Sequence, residues 1–301
     1  MMRTTPSFLA LRPAQGEHAE AINRVTVTPS GKYVISASND RTLKIWEIES
    51  GLDILTLFGH SKRVTDVIVT PDGSKAISAS EDKTIRIWDL GLGIESHILR
   101  EHTDRIHTIA ITPDGSYLVS GGRDNVIVIW DLARLEPVHR LIGHEAWVMA
   151  VAVTPDGSKV ISAARDNSLK IWDIASGTEI LTLTGHHYWV IAVTITTDGQ
   201  HVISASWDNT IKVWELNTGK EINSIAAHEN YIDAITLSPE GSVLISLAWD
   251  NSLKVWDWRQ GELLGNLVME EKLNCCAITP DGKRIVLGDN NGLLYFLELV
   301  N

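Results

Sequence analysis

Short segments of alternating apolar and polar residues recur along the chain, separated by polar turns. In one example, Val64–Val69 alternates with the period of a half-buried strand. The turn Thr70–Gly73 follows, in which proline fixes φ, aspartate bonds to the backbone and glycine accepts a positive φ. Two more short strands, Ala76–Ser80 and Thr84–Trp88, flank a polar hairpin that contains Asp82. Because the chain then turns again and forms one further strand, the repeating unit is predicted to contain four strands.

Two residue types mark this unit at a fixed interval of 42 positions. Tryptophan recurs at Trp46, Trp88, Trp130, Trp172, Trp214 and Trp256, and histidine precedes it at His18, His60, His102, His144, His186 and His228. A period of about 40–45 residues with such markers is the signature of a four-stranded propeller blade. The turn of the Pro-Asp-Gly type occurs seven times, which predicts seven blades.

The two ends of the chain are predicted to share one blade. The seventh unit supplies only three strands before the chain ends, and the apolar segment Ser7–Leu11 has no other strand to pair with. Proteins avoid unpaired strand edges. We therefore expect residues 6–12 to complete blade seven, and residues 1–301 to form a single all-β domain, a seven-bladed β-propeller.

The chain resembles the WD-repeat propellers over its entire length. Literal Trp-Asp signatures stand at Trp88-Asp89, Trp130-Asp131, Trp172-Asp173 and Trp256-Asp257, with Trp46-Glu47 and Trp214-Glu215 as mild variants. The high similarity among its own units also resembles the propellers of bacterial and cyanobacterial multidomain regulators.

Histidine, serine and aspartate recur together, for example as His60, Ser78 and Asp82. One such trio could suggest a hydrolase, but a catalytic site is unique, whereas this set occurs in six copies. The family resemblance implies that these residues and the tryptophan form a hydrogen-bonded chain within each blade. A buried tryptophan N–H and a buried histidine both need such partners. We therefore assign the set to stability, name no catalytic residues and expect the protein not to be an enzyme.

The seventh unit departs from this pattern. Met269, Leu287, Asn291 and Leu297 stand where the other units have His, Ser, Asp and Trp. Losing all members together is reasonable, because a half-satisfied buried network is worse than an apolar one. Blade seven is expected to depend on packing and on the N-terminal strand.

Composition narrows the possible partners and compartments. The 26 basic and 38 acidic residues give a net charge of −12, which disfavours nucleic-acid or membrane-surface binding. No apolar run approaches the roughly 18 residues that cross a bilayer, and Met1–Arg12 has no signal-peptide core. We expect a cytoplasmic, monomeric ring.

The adjacent Cys275 and Cys276 are unsuited to an ordinary disulfide. Cys276 aligns with core valines, so we expect it to be a small core residue, and the alternative is that the two cysteines sense redox conditions. No metal-ligand spacing is present, so no metal or cofactor is expected.

Binding is expected at positions that differ between units. The resemblance implies the narrow face of the ring, with three positions per blade: the third and fifth residues after His, and the residue before the hairpin Asp. On blades four to six these positions hold Trp147, Met149, Trp189, Ile191, Trp207, Tyr231 and Trp249. Aromatic residues and methionine are enriched at interface hot spots. The alternative is that these rings pack against neighbouring blades or cover the central channel.

Basic residues occupy the same kind of position on blades two to four and on blade seven. They are Arg63, Arg105, His107, Arg123 and Arg165 on blades two to four, with Lys272 on blade seven. The arginine fork suits carboxylate or phosphate, so the partner is expected to carry an anionic group, such as an acidic helix, a phosphorylated peptide or a nucleic-acid backbone. The alternative is an ordinary solvated surface, partly neutralised by Glu81, Asp66 and Asp104.

Three function classes follow. The favoured one is a non-catalytic scaffold or sensor module in signalling, which binds a protein or peptide, including another domain of the same system. The second is a small-ligand or nucleotide sensing domain of a larger signalling or defence ATPase, although this chain has no Gly-rich phosphate loop of its own. The third, a propeller enzyme, requires a non-repeated set of carboxylates or a nucleophile near the channel, and the sequence offers none.

Overall fold

The chain folds into seven antiparallel four-stranded sheets, or blades, in the computed structural model, which describes residues 7–300 and the side chains of residues 10–299. The inner strands are β2 (Ile22–Val27), β6 (Val64–Val69), β10 (Ile106–Ile111), β14 (Val148–Val153), β18 (Val190–Ile195), β22 (Ile232–Leu237) and β26 (Leu273–Ile278). The second strands are β3 (Tyr33–Ser38), β7 (Lys75–Ser80), β11 (Tyr117–Gly122), β15 (Lys159–Ala164), β19 (His201–Ser206), β23 (Leu244–Ala248) and β27 (Arg284–Asp289).

The outer half of each blade follows the same order. The third strands are β4 (Thr42–Glu47), β8 (Thr84–Asp89), β12 (Val126–Asp131), β16 (Ser168–Asp173), β20 (Thr210–Glu215), β24 (Ser252–Asp257) and β28 (Leu294–Val300). The outermost are β5 (Asp53–Phe58), β9 (Ile94–Arg100), β13 (Glu136–Ile142), β17 (Glu179–Thr184), β21 (Glu221–Ala226), β25 (Glu262–Val268) and, in blade seven, β1 (Ser7–Pro13). Inner strands of neighbouring blades contact each other around the ring, including β2 with β26. The predicted all-β, seven-bladed fold is confirmed.

The N-terminal strand closes the ring. Strand β1 pairs antiparallel with β28, with Phe8 opposite Leu299 and Pro13 opposite Tyr295. The Arg12 guanidinium also donates to the carbonyl oxygen of Ile48 in blade one, at 2.8 Å. Residue 6 of the predicted closing strand lies outside the described residues. The pairing satisfies an edge of β28 that would otherwise be open, as the sequence predicted.

The hydrophobic core is divided among seven clusters, each shared by two neighbouring blades. Between blades two and three, for example, Ile87 and Leu99 pack with Ile106, Leu118 and Trp130. Full burial of an aliphatic or aromatic side chain of this kind stabilises the fold by about 1.5–3 kcal/mol. Because each cluster needs two blades, no blade buries its apolar face alone.

Six blades contain the predicted four-residue network, as blade two illustrates. Trp88 Nε1 donates to Ser78 Oγ at 2.9 Å, and the same Oγ lies 2.8 Å from His60 Nε2. His60 Nδ1 lies 2.9 Å from Asp82 Oδ2. Burial raises the pKa of the Asp82 carboxyl, but hydrogen bonds from His60 and Thr84 outweigh this and hold the pKa well below its usual range. The recurring His, Ser and Asp therefore link the strands of a blade.

Blade seven has a different polar network in place of the missing one. Leu287 and Leu297 are buried in an apolar cluster, where Met269 packs partly buried. Asp289 is fully buried at the end of β27; its Oδ1 accepts the Leu293 N–H at 2.8 Å, and its Oδ2 accepts the hydroxyl of Tyr295 at 3.0 Å. Blade seven thus has its own hydrogen-bonded anchor beside the packing and the N-terminal strand that the sequence predicted.

Trp258, which lies outside the variable positions and had no assigned role, is a core residue. It is 2 % exposed and packs between blades five and six. Its Nε1 donates to the carbonyl oxygen of Gly241 at 3.0 Å, and the Arg259 guanidinium lies over its ring. It therefore stabilises the face of the ring opposite the predicted binding positions.

Candidate functional site: an aromatic and basic arc on one face of the ring

The three variable positions of each blade converge on one face of the ring. This face is formed by the loops that lead into the inner strands and by the hairpins between second and third strands, and we call it the arc face. In every blade the residue before the hairpin donates its N–H to the carbonyl oxygen of the residue before the inner strand. Examples are Arg165 to Trp147 at 2.9 Å and Trp207 to Trp189 at 3.0 Å. Two variable side chains are thereby placed side by side on each blade.

The third variable position is a β-bulge. Each inner strand shifts register at the fifth residue after the His position. In blade four this residue is Met149, between Val148 and Ala150. A bulge adds an unpaired residue and redirects its side chain. The bulge residues of all seven blades line the mouth of the central channel; they are Asn23, Thr65, His107, Met149, Ile191, Asp233 and Asn274. The backbone thus gives each blade one side chain toward the channel and two toward the arc face.

The aromatic residues of blades five and six form one contiguous stack. Trp207 lies parallel to Tyr231, with ring centroids 4.8 Å apart, and contacts Trp189 at 4.9 Å. Trp249 meets Trp207 edge to face at 5.8 Å. Tyr231 and Trp249 remain 37 % and 43 % exposed, whereas Trp189 and Trp207 are half-buried. The rings therefore cover one another on the surface of the arc face, and the two outermost rings face solvent.

Basic side chains extend this stack in both directions. The Arg165 guanidinium carbon lies 4.2 Å from the centroid of Trp147 and 4.0 Å from that of Trp189. Arg123 stands 4.3 Å from Trp147. At the other end, Lys272 Nζ lies 4.1 Å from Trp249. The sequence pattern predicted separate aromatic and basic surfaces, but the side chain of Arg165 joins them into one. We call this set the arc: Arg123, Trp147, Arg165, Trp189, Trp207, Tyr231, Trp249 and Lys272.

The cations of the arc face differ in how well they are neutralised. Arg105 pairs with Glu81 at 2.9 Å, and Lys272 with Asp233 at 2.5 Å. Arg123 forms a longer and more exposed pair, with its Nε 3.6 Å from the carboxylate of Asp104. Arg165 has no carboxylate partner among residues 10–299; its Nε instead lies 3.3 Å from Met149 Sδ. Arg63, also without such a partner in the described chain, is exposed and takes no part in the stack.

The expectation that Asp66 neutralises the basic surface is wrong. Asp66 is 3 % exposed and lies inside the channel, where its carboxylate pairs with Arg24 at 3.2 Å. It also accepts the N–H groups of Val67 and Ile109, each at 2.8 Å. The Ile109 N–H follows a bulge in the inner strand of the next blade, so Asp66 joins blades two and three rather than facing a partner.

His107 lies beneath the basic end of the arc. Burial, together with the charges of Arg165, Arg105 and Arg123, lowers its pKa to about 4. The imidazole is therefore neutral at pH 7. Its ring lies 5.9 Å from that of Trp147, and its buried Nε2 has no hydrogen-bond partner among the described residues. The low pKa of His107 therefore has burial as its main cause, and the positive charges of the three arginines at the channel mouth lower it further.

Six segments match the family described as "WD domain, G-beta repeat": residues 13–47, 51–89, 93–131, 135–173, 177–215 and 219–257. The chain belongs to the WD-repeat family. The unmatched seventh blade is the one that lacks the His, Ser, Asp and Trp positions. WD-repeat propellers are in general non-catalytic scaffolds that bind proteins, and the repeat networks of this chain have the structural role described above.

Several curated proteins match the chain in sequence over a stretch about as long as one repeat. A stretch of 40 residues, 13 % of the chain, is 45 % identical to the ribosome biogenesis protein BOP1 homologs of Drosophila grimshawi, Drosophila ananassae and Drosophila melanogaster. The aligned stretch covers 5 % of each of these proteins.

Cavities on the other face of the WD-repeat ring are products of the repeat. One of about 560 Å³ lies between blades two and three, lined by Pro71 and Leu132 among others. A cavity of about 420 Å³ occupies the equivalent place between blades four and five, lined by Pro155 and Leu216. Because the same crevice recurs at equivalent positions, it offers no unique chemistry. The channel beneath the arc is smaller, at about 140 Å³.

Other features of the described residues add no candidate site. No helix there is long and apolar enough to cross a membrane, and no three His, Cys, Asp or Glu side chains there are grouped to hold a metal ion. Cys275 and Cys276 are both buried, and burial raises the pKa of the Cys276 thiol to about 12.

Tyr188 is an arc-face residue that the sequence analysis missed. It is 41 % exposed, and its ring stacks on that of Trp189 at 5.1 Å. It is the second residue after His186, next to the positions considered, and a search of the whole loop for aromatic residues could have found it.

Proposed function

We propose that this chain is a non-catalytic protein-interaction module that binds a protein or peptide across the arc. The observation that carries the proposal is the contiguous ring stack on blades five and six, in which Tyr231 and Trp249 are exposed. Arg165, which has no carboxylate partner among the described residues, lies over Trp189 at one end of this stack. Exposed aromatic patches rimmed by polar groups mark interaction sites. Aromatic and arginine side chains are also the residue types that contribute most binding energy at interfaces.

The dimensions of the arc face favour an extended partner over a small molecule. Ligand pockets are usually about 300–1,000 Å³ and enclose most of the ligand. The channel mouth offers about 140 Å³, and a neighbouring recess lined by Arg63, Glu81 and Met149 offers about 260 Å³. The arc, in contrast, extends across blades three to seven on the surface. A peptide or protein surface can contact all of it at once.

We also propose the cellular setting from resemblance alone. The module would act in signalling in the cytoplasm, as a single domain of residues 1–301 and a monomeric ring. It would serve a larger assembly of the kind found in bacterial and cyanobacterial multidomain regulators. The alternative, a small-ligand or nucleotide sensor of a signalling or defence ATPase, is distinguished by competition of a small molecule against partner binding.

The test is capture of partners from host lysate by three forms of the purified ring. The intact ring is compared with a Trp249→Ala variant and with a Leu92→Ala control, since Leu92 is 72 % exposed in a loop on the opposite face. Each form is first checked for native unfolding behaviour. Loss of a hot-spot ring costs about 2 kcal/mol, or roughly thirtyfold in affinity.

The captured protein is then titrated against each form by calorimetry. We expect the intact ring and the Leu92→Ala control to bind equally, and the Trp249→Ala variant to bind at least tenfold more weakly. Equal affinity for all three forms would remove the arc as the binding surface.

A further inference from the structure

Arg165 is held in a geometry that leaves its two terminal nitrogens without a partner among the described residues, while its Nε lies 3.3 Å from Met149 Sδ. Its guanidinium carbon lies over Trp147 and Trp189, at 4.2 and 4.0 Å from the ring centroids, and the centroid of Trp207 is 5.8 Å away. Stacking uses the faces of a guanidinium, whereas its N–H groups point outward in the plane and match the oxygens of carboxylate or phosphate. Because the rings fix the side chain beforehand, binding an anion costs little further side-chain entropy.

The same stacking excludes a cationic partner. Aromatic clusters commonly bind ammonium groups over their ring faces. In this arc the faces of Trp147 and Trp189 are already occupied by Arg123 and Arg165, and Lys272 lies over Trp249. A lysine-like group of a partner would therefore meet both an occupied ring and a like charge.

The charge balance at the basic end favours an anion with more than one negative charge. Arg105 is neutralised by Glu81, but Arg165 has no carboxylate partner among the described residues, and Asp104 is both exposed and 3.6 Å from Arg123. Burial lowers the pKa of Arg165, and repulsion from Arg123 lowers it further. Close beside them, the buried Nε2 of His107 also lacks a partner in the described chain.

We propose that Arg123 and Arg165, aligned on Trp147, form an oxyanion site for the phosphoryl group of a phosphorylated peptide whose neighbouring residues lie on the aromatic part of the arc. This inference rests on the proposed function, because it assigns chemistry to one end of the same surface. A phosphoryl group brings about two negative charges and three acceptor oxygens. It matches two incompletely neutralised arginines better than one carboxylate does.

Phenyl phosphate is a suitable probe, because it carries a phosphoryl group on an apolar ring. The indole N–H signals of the intact ring are followed by NMR during titration, with the Trp147 signal assigned through a Trp147→Phe variant. Benzoate and sodium chloride at matched ionic strength serve as the single-charge and screening controls. Arg165→Gln removes the charge, Arg165→Lys keeps the charge without the planar fork, and Arg134→Gln is a matched control in an exposed ion pair on the opposite face.

We expect phenyl phosphate to shift the Trp147 signal in a saturable manner, with benzoate at least tenfold weaker. Arg165→Gln should weaken phenyl phosphate binding at least tenfold and Arg165→Lys by a smaller factor, while Arg134→Gln leaves it unchanged. A shift no larger than that caused by sodium chloride, or equal affinity in the Arg165→Gln variant, overturns the oxyanion site. Benzoate binding as tightly as phenyl phosphate overturns the phosphoryl assignment. In either case, continued loss of partner binding in Trp249→Ala would leave the proposed function standing.

Discussion

The serine at the centre of each repeat network is predicted to contribute far more stability than a neighbouring serine on the same strand. In blade five, Ser204 Oγ accepts the Trp214 Nε1–H at 2.9 Å and lies 2.8 Å from His186 Nε2. All three residues are buried, with Ser204 fully so. Ser204→Ala removes the shared oxygen and leaves two buried polar groups without partners.

The magnitude follows from those two groups. Leaving one buried donor or acceptor unsatisfied costs about 1–3 kcal/mol. Two such groups predict a loss of about 2–6 kcal/mol in the free energy of unfolding. With an unfolding entropy of about 2.1 cal/mol/K per residue, a loss of about 3 kcal/mol lowers the midpoint temperature of this chain by roughly 5 °C.

The matched control is Ser206→Ala, two residues further along β19. Ser206 is also fully buried, and its Oγ donates to the Tyr188 carbonyl oxygen at 3.0 Å and accepts the Asp208 N–H at 3.0 Å. The equivalent positions in blades four and six are Ala164 and Ala248, so the hairpin forms without this hydroxyl. We expect a loss of about 1 kcal/mol, the net value of an ordinary hydrogen bond.

Urea unfolding followed by far-UV circular dichroism measures both variants, with the slope of the transition checked for two-state behaviour. Equal losses for Ser204→Ala and Ser206→Ala would refute the reasoning. A loss below about 1 kcal/mol for Ser204→Ala would do the same, because it would mean that the orphaned indole and imidazole are not costly to bury.

Three further predictions concern the ring as a whole. Deleting residues 1–12 removes the pairing of β1 with β28, so we expect a loss of about 3–5 kcal/mol from lost backbone hydrogen bonds; an unchanged thermal midpoint would contradict the closure. For His107, the folded-state pKa of about 4 lies below the unfolded value of about 6.5. The unfolded state therefore binds a proton first as the pH falls, and stability present at pH 7 is lost between about pH 6.5 and 4. His107→Gln should reduce the loss of stability between pH 7 and pH 5 by about 1–2 kcal/mol, and an identical pH dependence in the two proteins would show that this pKa is not depressed. Because burial raises the pKa values of both Cys275 and Cys276, we expect Ellman's reagent to label neither thiol in the native ring but both in urea; rapid native labelling would restore the redox alternative.

The repeat explains why the fold could be predicted from the sequence. A fixed period places each strand, turn and network residue six times over, so an error in one unit is corrected by the others. The closing strand was also predictable, because only one segment lacked a partner. Blade seven was the exception: Asp289 takes a position where other units have serine, alanine or glycine, and its bond to Tyr295 has no precedent in the repeat.

The candidate site was only partly predictable, because it depends on contacts between blades. Sequence position indicated that Trp147, Trp189 and Arg165 share a face. It could not show that the Arg165 side chain lies between the two rings, since this depends on side-chain directions on neighbouring blades. For the same reason Asp66 was placed at the surface, although the bulge of the inner strand directs it into the channel toward Arg24.

The arc is difficult to explain as a device for stability. The ring already has an apolar cluster at every blade junction and a hydrogen-bonded network in every blade. Exposed rings at Tyr231 and Trp249 add little to that core and favour nonspecific association. At the other end of the arc, Arg123 and Arg165 both lie over Trp147, close enough for their charges to repel. Blade one carries only Ala21, Asn23 and Asn39 at the same positions, so the ring does not need large or charged side chains there. Features that lower solubility and add repulsion are best accounted for by a partner that covers the rings and supplies the missing negative charge.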